Sequence, residues 1–280
     1  TSRKTSMNKR DFLSTFGAVA LGAVSAGLAS PSARAAAPAV IRVGVAGGVD
    51  EEIWEVVTQV AQERGLRVKP IVFSGAVNPN EGVHSGDLEA NSFQHIPYLR
   101  DQNQRGGYKL VSVGETYISP IAFYAKKYRR LADLPAGARV GIPNDPSNQT
   151  RALVVLRDQG VLDLRPGFDP FTGTASLADI SALRQKVELV EASSVVLARS
   201  LDDLAAAAIV NSYAYQAGLI ATRDGIAVEK RERNPYVNII VVRASDQAAP
   251  WVPALVAAYQ SEPVRQFILK RFQGSVIPAF

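Results

Sequence analysis

The strongest constraint on the fold is a strand–helix–strand pattern in the first quarter of the chain. Residues 40–45 (VIRVGV) are apolar, which is typical of a buried strand. Residues 51–64 (EEIWEVVTQVAQER) place apolar side chains at helical spacing, with Asp50 as the expected N-cap and Gly65 at the end. Residues 68–73 return to a strand pattern. Such a unit requires a parallel sheet covered by helices, so the pattern predicts an α/β fold.

Strands and helices alternate along the rest of the chain, and two extended stretches, 118–127 and 226–238, are suited to carry it between two lobes. We expect a first lobe formed by residues 36–127 with 229–280 and a second lobe formed by residues 128–228. The cleft between two lobes is a common place for a ligand. Further strands are predicted at 109–113, 118–124, 139–142, 206–210 and 236–242, and further helices at 96–104, 148–159, 194–200, 212–219, 251–260 and 263–272.

Residues 1–35 have the composition of a signal peptide. Basic residues precede an apolar run at 12–28, and Ala33-Arg34-Ala35 is a small-x-small cleavage site. The segment KRDFL resembles a twin-arginine signal with lysine in place of the first arginine, so the twin-arginine and the general secretory routes both remain open. The sequence has no cysteine that could carry a lipid. We therefore expect a signal peptide over residues 1–35 and a periplasmic protein without a lipid anchor, with an uncleaved anchor helix as the alternative.

Charge and composition exclude several classes of function. Most of the formal net charge of +5 lies in residues 1–35, so the remainder is nearly neutral and offers no basic surface for nucleic acid. The absence of cysteine excludes disulfides, thiolate nucleophiles and iron–sulfur ligation. The two histidines, His84 and His95, do not have the spacing of metal ligands on one helix. We expect no cofactor and no metal.

Motifs of nucleotide binding and of hydrolysis are missing from the sequence. It contains no Gly-Lys-Ser or Gly-Lys-Thr, no G-x-G-x-x-G after the first strand and no G-x-S-x-G. Ser85 follows His84, but sequence neighbours rarely form a nucleophile–base pair, and the segment HSGD is typical of a turn. We therefore expect no enzymatic activity. The alternative is a periplasmic hydrolase or lyase with His84 or His95 as its base.

The segment GIPNDPSN is suited to bind a carboxylate, because it is typical of a strand end that runs into a helix. With Ser147 or Asn148 as the expected cap, free backbone N–H groups and the positive end of the helix dipole would face the cleft. Arg151, about one turn further, offers a bidentate fork to a carboxylate, unless it is a solvated helix residue. Asn211 and Asn238 either cap backbone groups or pair with the polar end of a ligand.

Four longer segments occur in the order and spacing of a known family: SGDLEANSFQHIPYL, GIPNDPSNQTRAL, LDDLAAAAIVNSYAYQAGL and NPYVNIIVV. They resemble the NlpA/MetQ family of methionine-binding proteins, over about residues 41–272. The resemblance implies a type II periplasmic-binding-protein fold, in which two lobes close around a free amino acid. It also implies delivery of that amino acid to an ABC permease with a separate ATPase subunit. We expect a monomer.

The resemblance further implies which residues bind the ligand. Phe93, His95 and Tyr98 of SFQHIPY would line the part of the site that holds the ligand side chain, since aromatic faces suit a thioether. The residues implied for the amino-acid end are Asn148, Arg151, Asn211, Tyr236 and Asn238. No catalytic residue is implied.

The chain departs from the family pattern at positions near the expected cleft. Ala76 stands where members usually have an aromatic residue, which removes one wall of the site. Gln149 and Thr150 replace common glycines and are expected to add bulk beside the carboxylate site. Asp50 stands where a histidine is often found. The resemblance implies methionine as the ligand. Because of these departures, the alternatives are a different small amino acid, a dipeptide or a sulfur compound.

Overall fold

The computed structural model describes residues 38–73, 78–230 and 234–280. The signal peptide expected at residues 1–35 and the departure at Ala76 lie outside these ranges. Within them the strands form two main sheets flanked by helices, which confirms the α/β class. We call each main sheet with its helices a lobe.

Among the described residues, the first lobe contains a six-stranded sheet and five helices. Its strands are β1 (Ile41–Ala46), β2 (Val68–Phe73), β3 (Ala90–His95), β4 (Leu110–Ile118), β12 (Val237–Arg243) and β13 (Ile277–Pro278), and its helices are α1 (Val49–Glu63), α2 (Pro79–Ser85), α3 (Ile96–Gly106), α8 (Trp251–Tyr259) and α9 (Glu262–Phe272). The strand order is β13-β4-β12-β3-β1-β2. β1 pairs in parallel with β2 and β3, as the strand–helix–strand pattern predicts, whereas β12 runs antiparallel to β3 and β4.

The second lobe contains a five-stranded sheet in the order β11-β5-β10-β6-β9. Its strands are β5 (Ala122–Tyr124), β6 (Ala138–Pro143), β9 (Val187–Ala192), β10 (Ala206–Ile209) and β11 (Ala227–Val228), and its helices are α4 (Pro146–Asp158), α5 (Ser194–Arg199), α6 (Asn211–Gln216) and α7 (Ala221–Asp224). A separate pair of strands, β7 (Leu162–Leu164) and β8 (Ile180–Leu183), lies between α4 and β9 in the chain. Each lobe has its own buried apolar core.

The first helix begins differently from the prediction. Gly48, at φ 84, is the N-cap of α1, and Asp50 lies inside the first turn rather than at the cap. A positive φ of this size favours glycine, which explains why the helix begins directly after Gly47-Gly48. The side chain of Asp50 turns inward, is 1% exposed and accepts a hydrogen bond from the Tyr117 hydroxyl at 2.7 Å. The predicted cap at Asp50 is therefore wrong.

The outgoing crossing between the lobes interrupts a strand that was predicted to be continuous over 118–124. β4 ends at Ile118 in the first sheet, and β5 begins at Ala122 in the second sheet. Pro120 lies between them and has no N–H to continue a ladder, so one strand cannot pass through. Because β5 lies in the second sheet, its residues Ala122–Tyr124 belong to the second lobe, although the predicted boundary at 127/128 places them in the first. The boundary at 228/229 stays a prediction. No helix in the described ranges is both long and apolar enough to cross a bilayer.

Candidate functional site

A cavity of about 310 Å³ lies between the two lobes, and residues of both lobes and of the outgoing crossing line it. Six of the eight predicted binding residues are among them, and their contact with a ligand stays a prediction. The first lobe contributes Ala46, Phe93, Gln94, His95, Tyr98, Tyr117 and Asn238, the crossing contributes Ser119, and the second lobe contributes Asn144, Asp145, Asn148, Arg151, Ser193, Ser194, Val195, Val210, Ser212 and Tyr213.

The other two predicted residues do not line the cavity directly. Tyr236 lies behind its wall, with its ring 5.0 Å from the ring of His95 and 4.7 Å from the guanidinium carbon of Arg151. Asn211 is buried at the first position of α6, between the lining residues Val210 and Ser212. Both residues are therefore placed to support the wall of the cavity.

An aromatic wall forms where β3 runs into α3. Phe93 and His95 are two residues apart in the strand, so both side chains leave the same face of the sheet. Tyr98 follows one turn into the helix, with its ring 6.0 Å from that of Phe93 and 6.2 Å from that of His95, both edge-on. Such edge-to-face packing holds rings in fixed orientations. The wall offers a rigid aromatic surface to an apolar ligand group.

Both ring nitrogens of His95 are engaged within the protein. Nδ1 accepts a hydrogen bond from the backbone N–H of Tyr98 at 3.2 Å, which caps α3, and Nε2 donates to Asn148 Oδ1 at 3.4 Å. Burial, reinforced by the charge of Arg151, lowers the pKa of His95 to about 3. The imidazole is therefore neutral, and it has no free lone pair with which to act as a base.

The other histidine also lacks the surroundings that catalysis requires. His84 is exposed, with its ring 5.0 Å from that of Tyr108, and the neighbouring Ser85 hydroxyl bonds to Gly82 O and Asp87. Within the described ranges, no group of acidic or histidine side chains has the arrangement of a metal site.

The start of α4 is capped by Asp145, and the predicted caps Ser147 and Asn148 are wrong. Asp145 Oδ1 accepts hydrogen bonds from the Asn148 N–H at 2.9 Å and the Ser147 hydroxyl at 2.9 Å. The Asn148 amide also donates to both carboxylate oxygens at 3.1 Å. Because Asp145 already places a negative charge at this helix terminus, the helix does not offer the free anion site that the sequence suggested.

Arg151 is buried, with 2% of its side chain exposed, and is not the solvated residue of the alternative interpretation. Its Nε and Nη2 groups donate to the two carboxylate oxygens of Glu229 at 2.9 and 2.6 Å, and Nη2 also donates to Ser119 O at 2.9 Å. Nη1 donates to Asn148 Oδ1 at 3.2 Å. Contacts with the described residues thus use four of the five guanidinium N–H groups. The predicted bidentate fork belongs to Glu229, and one N–H on Nη1 has no partner among the described residues.

Comparison with known proteins identifies the family. The sequence profile of the NlpA lipoproteins matches residues 41–280. The chain belongs to the NlpA lipoprotein family. The D-methionine-binding lipoprotein MetQ of Salmonella typhi is 41% identical over 266 residues, which cover 94% of this chain and 97% of that protein.

Two solved structures share the NlpA fold seen here. A nutrient binding protein from Burkholderia cenocepacia bound to methionine has 48% identity and a TM-score of 0.82, covering 86% of this chain and 100% of its own. An ABC transporter periplasmic substrate-binding protein from Coxiella burnetii has 39% identity and a TM-score of 0.80. The match covers 85% of this chain and 100% of that chain. The family, the two-lobe fold and the expectation of a binding protein rather than an enzyme are thereby confirmed.

Two departures from the NlpA pattern do not have the predicted effect on the cavity. The Gln149 amide donates to Pro143 O at 3.2 Å and to Glu191, and the Thr150 hydroxyl donates to Pro146 O at 2.7 Å. Neither residue lines the cavity. Helix α4 presents Asn148 and Arg151 to the cavity and turns the two substituted positions toward its own lobe. The expectation of added bulk beside the carboxylate site is therefore wrong.

Several residues around the cavity were not predicted from the sequence. Asp145 could have been found, because an acidic residue followed by proline is typical of an N-cap with proline at the first helical position. Tyr117, Tyr213 and Glu229 carry no local signal. They reach the site from separate elements and only the tertiary fold brings them together.

Proposed function

We propose that this protein is the substrate-binding component of an ABC importer and that it binds methionine in the cavity between its lobes. The observation that carries the proposal is the cavity itself. It combines one aromatic wall with one available guanidinium N–H, within a volume of about 310 Å³. Ligand sites of this kind are mostly apolar, with a few placed polar groups. The methionine-binding relatives support the same ligand.

The charges around the cavity favour a zwitterion without a charged side chain. Arg151 is already paired with Glu229, and Asp145 adds a carboxylate to the lining. A ligand with a second carboxylate would meet no unpaired cation among the lining residues that the structure describes. A free amino acid with a neutral side chain has one carboxylate and one ammonium group. Arg151 and Asp145 are the lining groups of opposite sign for these two charges.

The two ends of methionine have different partners in this proposal. Its carboxylate accepts from the remaining N–H on Nη1 of Arg151, and Asn238, which lines the cavity, binds the amino-acid end. Asn211 supports the wall from the first position of α6. Its thioether side chain lies against Phe93 and Tyr98, since sulfur makes favourable contacts with aromatic rings. Asn148 bonds to His95 and Arg151, and the ring of Tyr236 packs against the same two residues. Asn148 and Tyr236 therefore position His95 and Arg151 for the ligand.

Transport requires that the lobes open and close, and the contacts between them support a ligand-stabilised closed state. His95 of the first lobe donates to Asn148 of the second. Gln216 of the second lobe donates to Gly47 O at 2.9 Å, after the end of β1 in the first lobe. A ligand that contacts both lobes adds interactions available only when they meet, and this shifts the population toward closure.

The proposed partners are a membrane permease and its separate ATPase subunit, which recognise the closed monomer. Export through the signal at residues 1–35, by the twin-arginine or the general secretory route, places the protein in the periplasm. The proposed periplasmic form carries no lipid anchor.

A thermal-shift panel on protein stripped of ligand by unfolding and refolding tests the function. L- and D-methionine are compared with the other amino acids, methionine-containing dipeptides and methionine sulfoxide. At a concentration 100-fold above Kd, the ligand adds about 2.7 kcal/mol to the unfolding free energy. Methionine is expected to give the largest shift. A larger shift with a dipeptide or another amino acid overturns the ligand assignment, and no shift with any compound overturns the function.

A further inference from the structure

We infer that Glu229, which does not line the cavity, is a positioning residue that holds Arg151 in the orientation needed to bind the ligand carboxylate. The inference rests on the proposed function. Glu229 directly follows β11, at the crossing that returns the chain to the first lobe. It is 8% exposed, and both of its carboxylate oxygens bond to the Arg151 guanidinium.

Glu229 also connects the two crossings to each other. Its N–H donates to Ile121 O at 2.9 Å, and its carboxylate accepts from Ile121 N–H at 3.3 Å, which extends the β5–β11 pairing by one residue. The same guanidinium donates to Ser119 O. The Arg151–Glu229 ion pair therefore bonds directly to Ser119 and Ile121, which lie in the outgoing crossing between β4 and β5. Glu229 itself begins the returning crossing after β11.

These contacts fix the plane of the guanidinium. The edge formed by Nε and Nη2 faces Glu229 and Ser119, the ring of Tyr236 lies 4.7 Å from the guanidinium carbon, and Nη1 is held by Asn148. Of the five guanidinium N–H groups of Arg151, the one that has no partner among the described residues is on Nη1. Because the guanidinium is planar, fixing one edge also fixes the direction of this N–H.

A carboxylate bound at Nη1 shares the guanidinium with Glu229. This arrangement needs both the charge and the reach of a glutamate, since the carboxylate must contact Nε, Nη2 and the Ile121 N–H together.

Two substitutions separate charge from reach. Glu229→Gln keeps the length but removes the charge, and Glu229→Asp keeps the charge but shortens the side chain. Both are expected to raise the Kd for methionine by about tenfold or more, which corresponds to loss of one charge-assisted hydrogen bond. Methioninamide, which has no carboxylate, should lose much less affinity. The matched control is Glu89→Gln, which breaks the bidentate contact of Glu89 with Arg42 away from the cavity.

The outcomes are distinct. Failure of the wild-type protein to bind methionine overturns the proposed function. Wild-type binding with an unchanged or lower Kd in both Glu229 variants overturns the inference alone, and so does an equal loss of affinity for methionine and methioninamide. If neither variant folds, the Arg151 Nε–H nuclear magnetic resonance signal of the wild-type protein decides. Slow exchange with water before methionine is added supports the inference, and rapid exchange that slows only on binding contradicts it.

Discussion

The buried carboxylate of Asp50 makes the unfolding free energy depend on pH in a way that one substitution isolates. Asp50 Oδ1 accepts from the Tyr117 hydroxyl, and Oδ2 has no hydrogen-bond partner among the described residues. Burial raises the pKa of Asp50 from 3.8 to about 7, and the bond from Tyr117 offsets only part of this effect. The folded protein therefore holds a proton that the unfolded chain releases near pH 4.

The size and sign of the effect follow from proton linkage. Since the folded-state pKa lies above the unfolded value, the stabilisation is complete below about pH 4 and is lost as the pH rises to about 7. Each pH unit between these values lowers the unfolding free energy by about 1.4 kcal/mol. Over the roughly three units of the pKa shift, the loss amounts to about 4 kcal/mol.

Replacement of Asp50 by asparagine keeps the shape and the acceptor for Tyr117 but removes the titration. Urea unfolding of both proteins between pH 4 and pH 8.5 gives the difference in unfolding free energy. We expect the Asp50→Asn variant to match the wild type near pH 4 and to exceed it by about 4 kcal/mol at pH 8. Other carboxylates titrate in both proteins and cancel. A difference in unfolding free energy that is independent of pH would show that the pKa of Asp50 is not raised in the folded protein.

Three further predictions concern the cavity. Phe93→Ala should raise the Kd for methionine by roughly 10- to 100-fold, because the thioether loses an aromatic contact, whereas His84→Ala at the surface should not change it. In the Asp50→Asn background, the Kd should be constant between pH 5 and pH 8, because the pKa of His95 is about 3 and the ring stays neutral; weakening below pH 6.5 would show that it titrates. Gln149→Ala should lower the urea midpoint but change the Kd by less than about twofold. The reason is that the Gln149 amide donates to Pro143 of β6 and Glu191 of β9 rather than to the ligand. A larger change in Kd would place Gln149 at the site. Calorimetric titration measures each Kd.

The fold was predictable where local periodicity and tertiary structure agree. The β1–α1–β2 unit has strong strand and helix patterns, and the structure reproduces it. Strand β9 was missed because VELVEA alternates only partly and its pairing partner β6 lies more than forty residues away. The break at Pro120 was missed because apolar residues continue on both sides of it. Contacts between distant segments decided both features.

The site was predictable only in part, for a similar reason. The motif that contains Phe93, His95 and Tyr98 is contiguous, so its resemblance to a family identified the aromatic wall. The environment of Arg151 depends on Glu229, which is 78 residues away in the sequence. The sequence therefore indicated a buried cation for the ligand but not its existing partner. The positions of Gln149 and Thr150 depend on the rotation of α4, which the misplaced cap obscured.

A crystal structure of the protein with methionine tests the proposed binding mode, because it reports both the occupant and its orientation. We expect methionine between the lobes, its carboxylate within hydrogen-bond distance of Arg151 Nη1 and its thioether against Phe93 and Tyr98. The Arg151–Glu229 pair should remain intact. An empty cavity at saturating methionine, or a bound methionine whose carboxylate does not reach Arg151, would contradict this binding mode.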